Sequence, residues 1–482
     1  MGGIERANMD AELEKDIDSY IEGNWDAILA DIASLVEVPS VADYEAAAPG
    51  APFGPAAREA LDRALNIAAR LGYEVSDDEG YVGIADIPGR DPSRQIATIA
   101  HVDVVPAGPG WATEPFEMER REGWLLGRGV IDDKGPAVLA LYAGAYLLRD
   151  GNTPRYSFRA LLGSDEEVGM TDVRHYLAGH DDPDFLFTPD ADFPVGYAEK
   201  GMFGGTLTSA RAAAPRIVCW SGSEAPNAIP GQSVLELAID VSQLPAPRAN
   251  ADRLRVEAVA PGRARVGAAG VGGHASMPKG TVDAVGLVVT YLLEVLDAEP
   301  DVLAPEERDF VQLLALIHAD PYGQGAGIAA TGEVFDPLTL NAGVVQVVDG
   351  RITQSIDIRF PETTSAAAIE DALAALAARH GATLTPGMCK EPFITSAESP
   401  EVQVLINTYN EVTGRDAEPF SMGGGTYARN FKRAVSFGPE ELDQVLPAWG
   451  GQMHGPNECA DEAQLKQALK IYILALLRLM EL

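Results

Sequence analysis

The segment Ser164-Asp165-Glu166-Glu167-Val168-Gly169 sets two adjacent glutamates behind an apolar run, Tyr156 to Leu162, that reads as a buried strand. A strand end opens onto a cleft in α/β proteins, and neighbouring side chains there point in different directions. One glutamate can then bind a metal ion while the other faces a water molecule. Two acids beside a glycine are by themselves an ordinary solvated turn. Four further segments give the pair its weight: His101-Val102-Asp103, Asp132-Asp133-Lys134-Gly135, Thr188-Pro189-Asp190 and Met453-His454-Gly455.

His101, Asp132, Glu167, Asp190 and His454 offer two imidazoles and three carboxylates. That is too many donors for one open tetrahedral site. It suits two divalent ions sharing a carboxylate, roughly 3.5–4 Å apart. Three carboxylates and a hydroxide neutralise two divalent ions, which lowers the cost of holding them in a cleft. Asp103 follows His101 by two residues. On a continuing strand both side chains share a face, so Asp103 is predicted to accept a hydrogen bond from the imidazole nitrogen that is not on metal. Glu166 remains as the unbound carboxylate, suited to act as general base on the attacking water and then as proton donor to the leaving amine. Each segment alone has a plainer reading: a core histidine at 101, a helix cap at 132–133, a turn aspartate at 190, a loop histidine at 454.

The elements that must position these residues follow from periodicity. Asn24 precedes an amphipathic run, Trp25 to Val38, stopped by Pro39. A second helical pattern runs from Ala56 to Leu71 and ends at Gly72. Strand patterns at Tyr81–Ile87 and Ile96–Ala100 lead into His101, and Pro136 is predicted to open a helix from Ala137 to Arg149. A short helix near Asp172–Ala178 and a strand at Asp184–Phe187 come next. This alternation indicates α/β layers around a mostly parallel central sheet flanked by helices. Three parts are predicted: a catalytic domain's first part over 1–196, an inserted α+β lid over 197–390, and the catalytic domain's second part over 391–482. A chain of 482 residues exceeds the size at which a single core keeps growing.

A net charge of −36 argues against nucleic acid and anionic membrane as partners. Cys219, Cys389 and Cys459 are widely spaced with no Cys-x-x-Cys, and read as free thiols in a reducing compartment. The first twenty residues are acidic and lack an apolar signal core, Arg6 stands where a myristoylation signal needs Ser or Thr, and no apolar run reaches spanning length. A cytoplasmic, soluble protein is expected.

In order and spacing the segments resemble the di-zinc exopeptidases that include aminoacylase, glutamate carboxypeptidase and carnosinase, and within them the bacterial dipeptidase V (Xaa-His dipeptidase) branch. The phrases His101-Val-Asp-Val-Val-Pro-Ala-Gly, Gly127-Arg-Gly-Val-Ile-Asp-Asp-Lys-Gly-Pro, Ser164-Asp-Glu-Glu-Val-Gly, Thr188-Pro-Asp-Ala, Gly423-Gly-Gly-Thr-Tyr-Ala-Arg and Met453-His-Gly-Pro carry the likeness. Ala100 departs from it, standing where many relatives have glycine. The resemblance implies that Asp132 bridges the ions, that His101 and Asp190 complete one site and Glu167 and His454 the other, and that the Asp132–Asp133 peptide is cis. It also implies that the lid residues His274 and Asn227 hold the oxyanion, and that Arg359 grips the substrate's C-terminal carboxylate. Gly424, Gly425 and Thr426 would contact the substrate. A turn histidine at 274 and an internal ion pair between Arg359 and Asp357 are the plainer alternatives. The triple glycine does not read as a phosphate loop, because no Gly-Lys-Ser/Thr follows.

The expectation is a metal-dependent dipeptidase, with two divalent ions (zinc first, manganese or cobalt otherwise) and a dipeptide with free termini as substrate. The long lid predicts a monomer. A deacylase of N-acyl amino acids on the same scaffold is the alternative. A non-catalytic metal-binding protein is less favoured, because no structural site needs Glu166.

Overall fold

This computed structural model describes residues 2–482, and side chains from residue 11. Helix α1 (Gly2–Val36) buries Ile17, Ile21, Trp25, Ile28, Ile32 and Leu35, a stripe spaced three and four residues apart. The stripe continues upstream of Trp25, so the helix does too. Asn24 is therefore an interior residue, not the predicted cap, and its side-chain amide donates to the carbonyl of Tyr20 at 2.8 Å. Among the described residues no helix is long and apolar enough to cross a membrane.

The chain divides into two units, one of residues 1–198, 394–420 and 425–482, the other of 199–393 and 421–424. The first contains, besides α1, helices α2 (Pro55–Arg70), α3 (Lys134–Ala145), α4 (Thr171–Gly179), α5 (Pro400–Thr413) and α6 (Glu462–Leu479). Its principal strands are β1 (Glu74–Asp78), β2 (Val82–Ile87), β3 (Asp91–His101), β4 (Tyr156–Gly163), β5 (Phe185–Thr188) and β6 (Ala434–Ser436). They lie in the order β1-β2-β4-β3-β5-β6. Of these, β4, β3, β5 and β6 are mutually parallel, whereas β1 and β2 are antiparallel to their neighbours. The predicted mostly parallel sheet is thus a mixed one. A hairpin causes the difference. Glu79 and Gly80, both at positive φ, turn β1 straight into β2, and a Cβ on Gly80 would fall 2.2 Å from the Gly50 carbonyl oxygen.

Helix α3 is buried on nearly every side, as its continuous apolar composition requires. It packs against α1, α6, β3 and β4. Gly144 allows this closeness: a Cβ there would meet Tyr73 and Phe158 at about 2.1–2.2 Å. The helix begins at Lys134, three residues before the predicted start, with Pro136 inside its first turn. Asp132 and Asp133 consequently stand at its N-terminus, where the helix dipole favours negative charge.

The second unit holds one antiparallel sheet, Thr339–Asn341, Arg351–Phe360, Gly201–Thr208 and Thr383–Lys390 in that order, with Val345–Val348 also on Arg351–Phe360. Asp349-Gly350, both at positive φ, make the two-residue turn of that last hairpin. A second sheet orders Ile217–Ser221, Gln232–Leu237, Arg263–Ala269 and Leu254–Ala260. Helices Ala284–Ala298, Pro305–Ile317 and Ala366–Arg379 contribute to this unit's apolar core. The helix Pro305–Ile317 was not anticipated. Its start is marked by Pro305 and by Glu307, which accepts the Ala304 amide at 3.0 Å.

Candidate metal centre

Three candidate segments leave the C-terminal ends of three adjacent parallel strands. His101 ends β3, Ser164–Gly169 follows β4, and Asp190 lies two residues beyond β5. Such ends are where open α/β sheets bind ligands. Asp132 comes from the N-terminus of α3, and His454 from a turn in which it takes the left-handed conformation (φ 61°).

These five side chains converge. Asp132 turns Oδ1 to His101 Nε2 at 3.0 Å and Oδ2 to His454 Nε2 at 2.8 Å. Glu167 Oε2 lies 3.1 Å from His454 Nε2, and Asp190 Oδ1 lies 3.8 Å from His101 Nε2. His101 Nε2 and Glu167 Oε1 are buried without a hydrogen-bond partner. Orphaned donor atoms of this kind carry a desolvation cost that a cation relieves. Imidazole nitrogen with carboxylate oxygen is a donor set that fits zinc and similar divalent ions. The Asp132–Asp133 peptide is cis.

Asp133 joins this group unexpectedly. Ligand atoms of His101, Asp133 and Asp190 lie within 4.8 Å of one another, as do those of His101, Asp132 and Glu167. Asp133 Oδ2 also accepts the His101 amide at 3.0 Å, while its Oδ1 has no partner. The doubled aspartate was the available signal.

Electrostatics make the demand for positive charge explicit. Burial, then neighbouring acids, pushes the Glu166, Glu167, Asp190 and Asp133 carboxyls up. Contacts with Asp132 and Glu167 push His454 up to about 11. Burial pulls His101 down, but Asp103, Asp132 and Asp190 outweigh it and set the imidazole well above its ordinary value.

Asp103 differs in detail from expectation. His101 Nδ1 lies 3.0 Å from the Asp103 backbone carbonyl oxygen, and its carboxylate is further off at 3.5 Å. Strand β3 stops at His101, so strand alternation no longer aligns the two side chains. The Asp103 carboxylate instead accepts the amides of Glu166 and Glu167, each at 3.2 Å. Asp172 Oδ2 accepts the amides of Ser164 and Asp165 at 2.8 and 3.0 Å and the hydroxyl of Tyr427. Four consecutive amides of the acidic loop are thus fixed by two buried carboxylates. Cys459, the cysteine nearest His454 in sequence, bonds its thiol weakly to the Gly451 carbonyl at 3.7 Å.

The lid candidates group within the second unit. His274 pairs with Ala228 in a short antiparallel ladder, and the Asn227 carbonyl accepts the Ala275 amide at 2.8 Å. His274 Nδ1 accepts the Ser276 amide at 3.2 Å and lies 2.7 Å from its hydroxyl. Burial and then Arg359 hold the imidazole below its ordinary value. The neutral ring therefore carries its proton on Nε2. Arg359 is forked on Asp357, Nε to Oδ1 at 3.0 Å and Nη2 to Oδ2 at 3.1 Å, which is the internal ion pair named above. Asn227, Asp357 and Arg359 line one groove of about 560 Å³. Gly424 belongs to this unit, Gly425 and Thr426 to the first. Thr426 Oγ1 caps the short helix Tyr427–Asn430 by accepting the Ala428 amide at 3.2 Å.

The chain is similar to known proteins over most of its length. Residues 97–478 match the family described as peptidase family M20/M25/M40. The putative dipeptidase YtjP of Bacillus subtilis is 29% identical over 467 residues, covering 94% of this chain and 97% of that protein. The Beta-Ala-Xaa dipeptidase of Lactobacillus delbrueckii subsp. lactis is 28% identical over 477 residues, 95% and 97% of the two chains. Among solved structures, aminoacylhistidine dipeptidase from Vibrio alginolyticus superposes with a TM-score of 0.57 at 18% identity, covering 94% of this chain and 96% of that one. Human carnosine dipeptidase 1 does so with a TM-score of 0.57 at 15% identity over 98% and 99%. At those identities the structures speak for the fold. The family match spans most of the chain and contains every candidate ligand: the chain belongs to peptidase family M20/M25/M40 and is a peptide-hydrolysing enzyme.

Proposed function

We propose that the chain is a two-metal dipeptidase with Glu166 as general base. The observation that carries this reading is the division of Asp132, which offers one carboxylate oxygen to the His101 side and the other to the His454 side, at 3.0 and 2.8 Å. The dipeptidase names of the relatives support the substrate class. His101, Asp132 and Asp190 would hold one cation, and Asp132, Glu167 and His454 the second. Zinc suits the donors best, with manganese or cobalt as substitutes. When bound, such a pair supplies a water activated at neutral pH and polarises a carbonyl.

The rest falls to side chains of this protein. Glu166 takes the proton of the attacking water and passes it to the leaving amine. Its amide is anchored on Asp103 at 3.2 Å, so its carboxylate starts from a fixed backbone. His274 Nε2–H and the Asn227 side chain donate to the carbonyl oxygen as charge develops there. Arg359 spends Nε and one hydrogen of Nη2 on Asp357, which fixes the guanidinium plane and leaves Nη1 for the substrate's terminal carboxylate. Gly424, Gly425 and Thr426 line the substrate. The enzyme works as a cytoplasmic monomer, a placement supported by three free cysteines; sedimentation showing a stable dimer at micromolar concentration refutes the monomer.

The deciding assay pairs metal analysis of protein purified without chelator with a panel of dipeptides beside N-acetyl and N-succinyl amino acids. Two cations per chain and cleavage of dipeptides alone are expected. Preferential cleavage of the acyl amino acids identifies a deacylase instead.

A further inference from the structure

We propose that the buried Arg128–Glu458 pair is a positioning device that sets cation affinity at the Glu167/His454 position and not at the His101/Asp190 position. The inference rests on the two-cation reading above. Both side chains are almost wholly buried, at 1% and 0% exposure. Arg128 Nη1 donates to Glu458 Oε2 at 2.5 Å. The other carboxylate oxygen, Oε1, accepts the amides of Gly129, Ile131 and Asp132 at 2.8, 3.3 and 3.4 Å. Arg128 Nη2 donates to the carbonyl oxygens of His454 and Gly455 at 3.2 and 3.3 Å. One ion pair therefore holds the backbone of Asp132 and the backbone of the His454 turn together, while touching none of the ligand atoms.

The two halves of the centre differ in what else supports them. His101 is buried at the end of a strand paired on both sides, and Asp190 follows the neighbouring strand. His454 is half exposed, at 52%, in a turn of left-handed backbone closed by local bonds such as Gly455 to Gln452 at 3.0 Å. Its carbonyl bond from Arg128 is a tie to a distant part of the chain. The Trp111 ring, 5.3 Å from the guanidinium carbon, screens that tie from one side. Loss of such an outer support typically costs about 10–100-fold in metal affinity.

The test titrates metal-free full-length protein with Zn²⁺ by calorimetry against a competing chelator. Wild type takes up two equivalents. R128M weakens one of them by about 10–100-fold and leaves the other within about twofold. R128M/E458Q removes both buried charges together, so it folds even where R128M alone does not; it shows the same selective loss, with folding checked by circular dichroism. H454A loses the same equivalent, and adding R128M to H454A costs nothing more, since coupled residues are non-additive. Two unchanged equivalents, two equally weakened ones, or additive losses with H454A overturn the inference. A wild type that binds fewer than two equivalents overturns the two-cation reading itself.

Discussion

The carboxylate of Asp103 holds the backbone of Glu167: Oδ2 accepts its amide at 3.2 Å, while Oδ1 does the same for Glu166. The candidate base and a candidate ligand thus hang from one side chain that is itself beyond reach of solvent. Their division of labour is testable residue by residue.

Glu166→Gln keeps the size and the amide anchor but removes the basic oxygen. Turnover of a dipeptide is expected to fall by about 10²–10⁴-fold, the usual worth of a positioned general base. Metal content by elemental analysis should stay at the wild-type value. Wild-type rates in this variant would remove Glu166 from the mechanism.

Arg359→Ala removes a charged donor from the groove that it shares with Asn227. Loss of a charge-assisted hydrogen bond is worth about 1.5–3 kcal/mol, so KM for dipeptides should rise by about 10–100-fold with a smaller change in kcat. Substrates amidated at the C-terminus should lose this sensitivity. An unchanged KM would assign the Arg359–Asp357 pair a purely structural role.

Acid carboxyls buried near the centre give the metal-free protein an unusual pH dependence. Glu440 is pushed up to about 8, Asp172 to about 7 and Glu458 to about 7, each mainly by burial. In the unfolded chain such groups titrate near about 4. Between about pH 4.5 and 7 the folded state therefore binds more protons than the unfolded one, and stability falls as pH rises through that window. Lys134, pulled down to about 7 by burial, works the other way only above it. Calorimetry of chelator-treated protein should give a higher melting temperature at about pH 5 than at about pH 7, with added divalent cation helping more at the higher pH. The reverse order in the metal-free protein would contradict these assignments.

Gly23 lies inside α1, with open space where a Cβ would project. Gly23→Ala should stabilise the protein by about 0.5–1 kcal/mol, read as a raised melting temperature. No gain would mean that the helix breaks near Asn24 after all.

The segments of His101, Asp132, Glu167 and Asp190 were legible because each joins an apolar strand or helix pattern to a short run of donors, as Tyr156–Leu162 does with Glu166 and Glu167; His454 sits in a turn with no such pattern beside it. The hydrophobic stripe of α1 was legible too, but Asn24 looked like a cap because its preference for helix starts is only statistical. The strand Gly201–Thr208 was hidden by its glycines, which are there because neighbours are close: a Cβ on Gly201 would fall 2.3 Å from the Phe360 ring. Arg128 and Glu458 were invisible for another reason. Their roles are defined by partners far away in sequence, and no local pattern encodes a distance across the fold.

The order of the ligands along the chain has a consequence for loop closure. His101, Asp132, Glu167 and Asp190 fall within one stretch of the sequence, whereas His454 is far downstream of all four. One half of the proposed centre therefore closes short loops, and the other must close a much longer one. In refolding, the half that needs His454 is expected to form last.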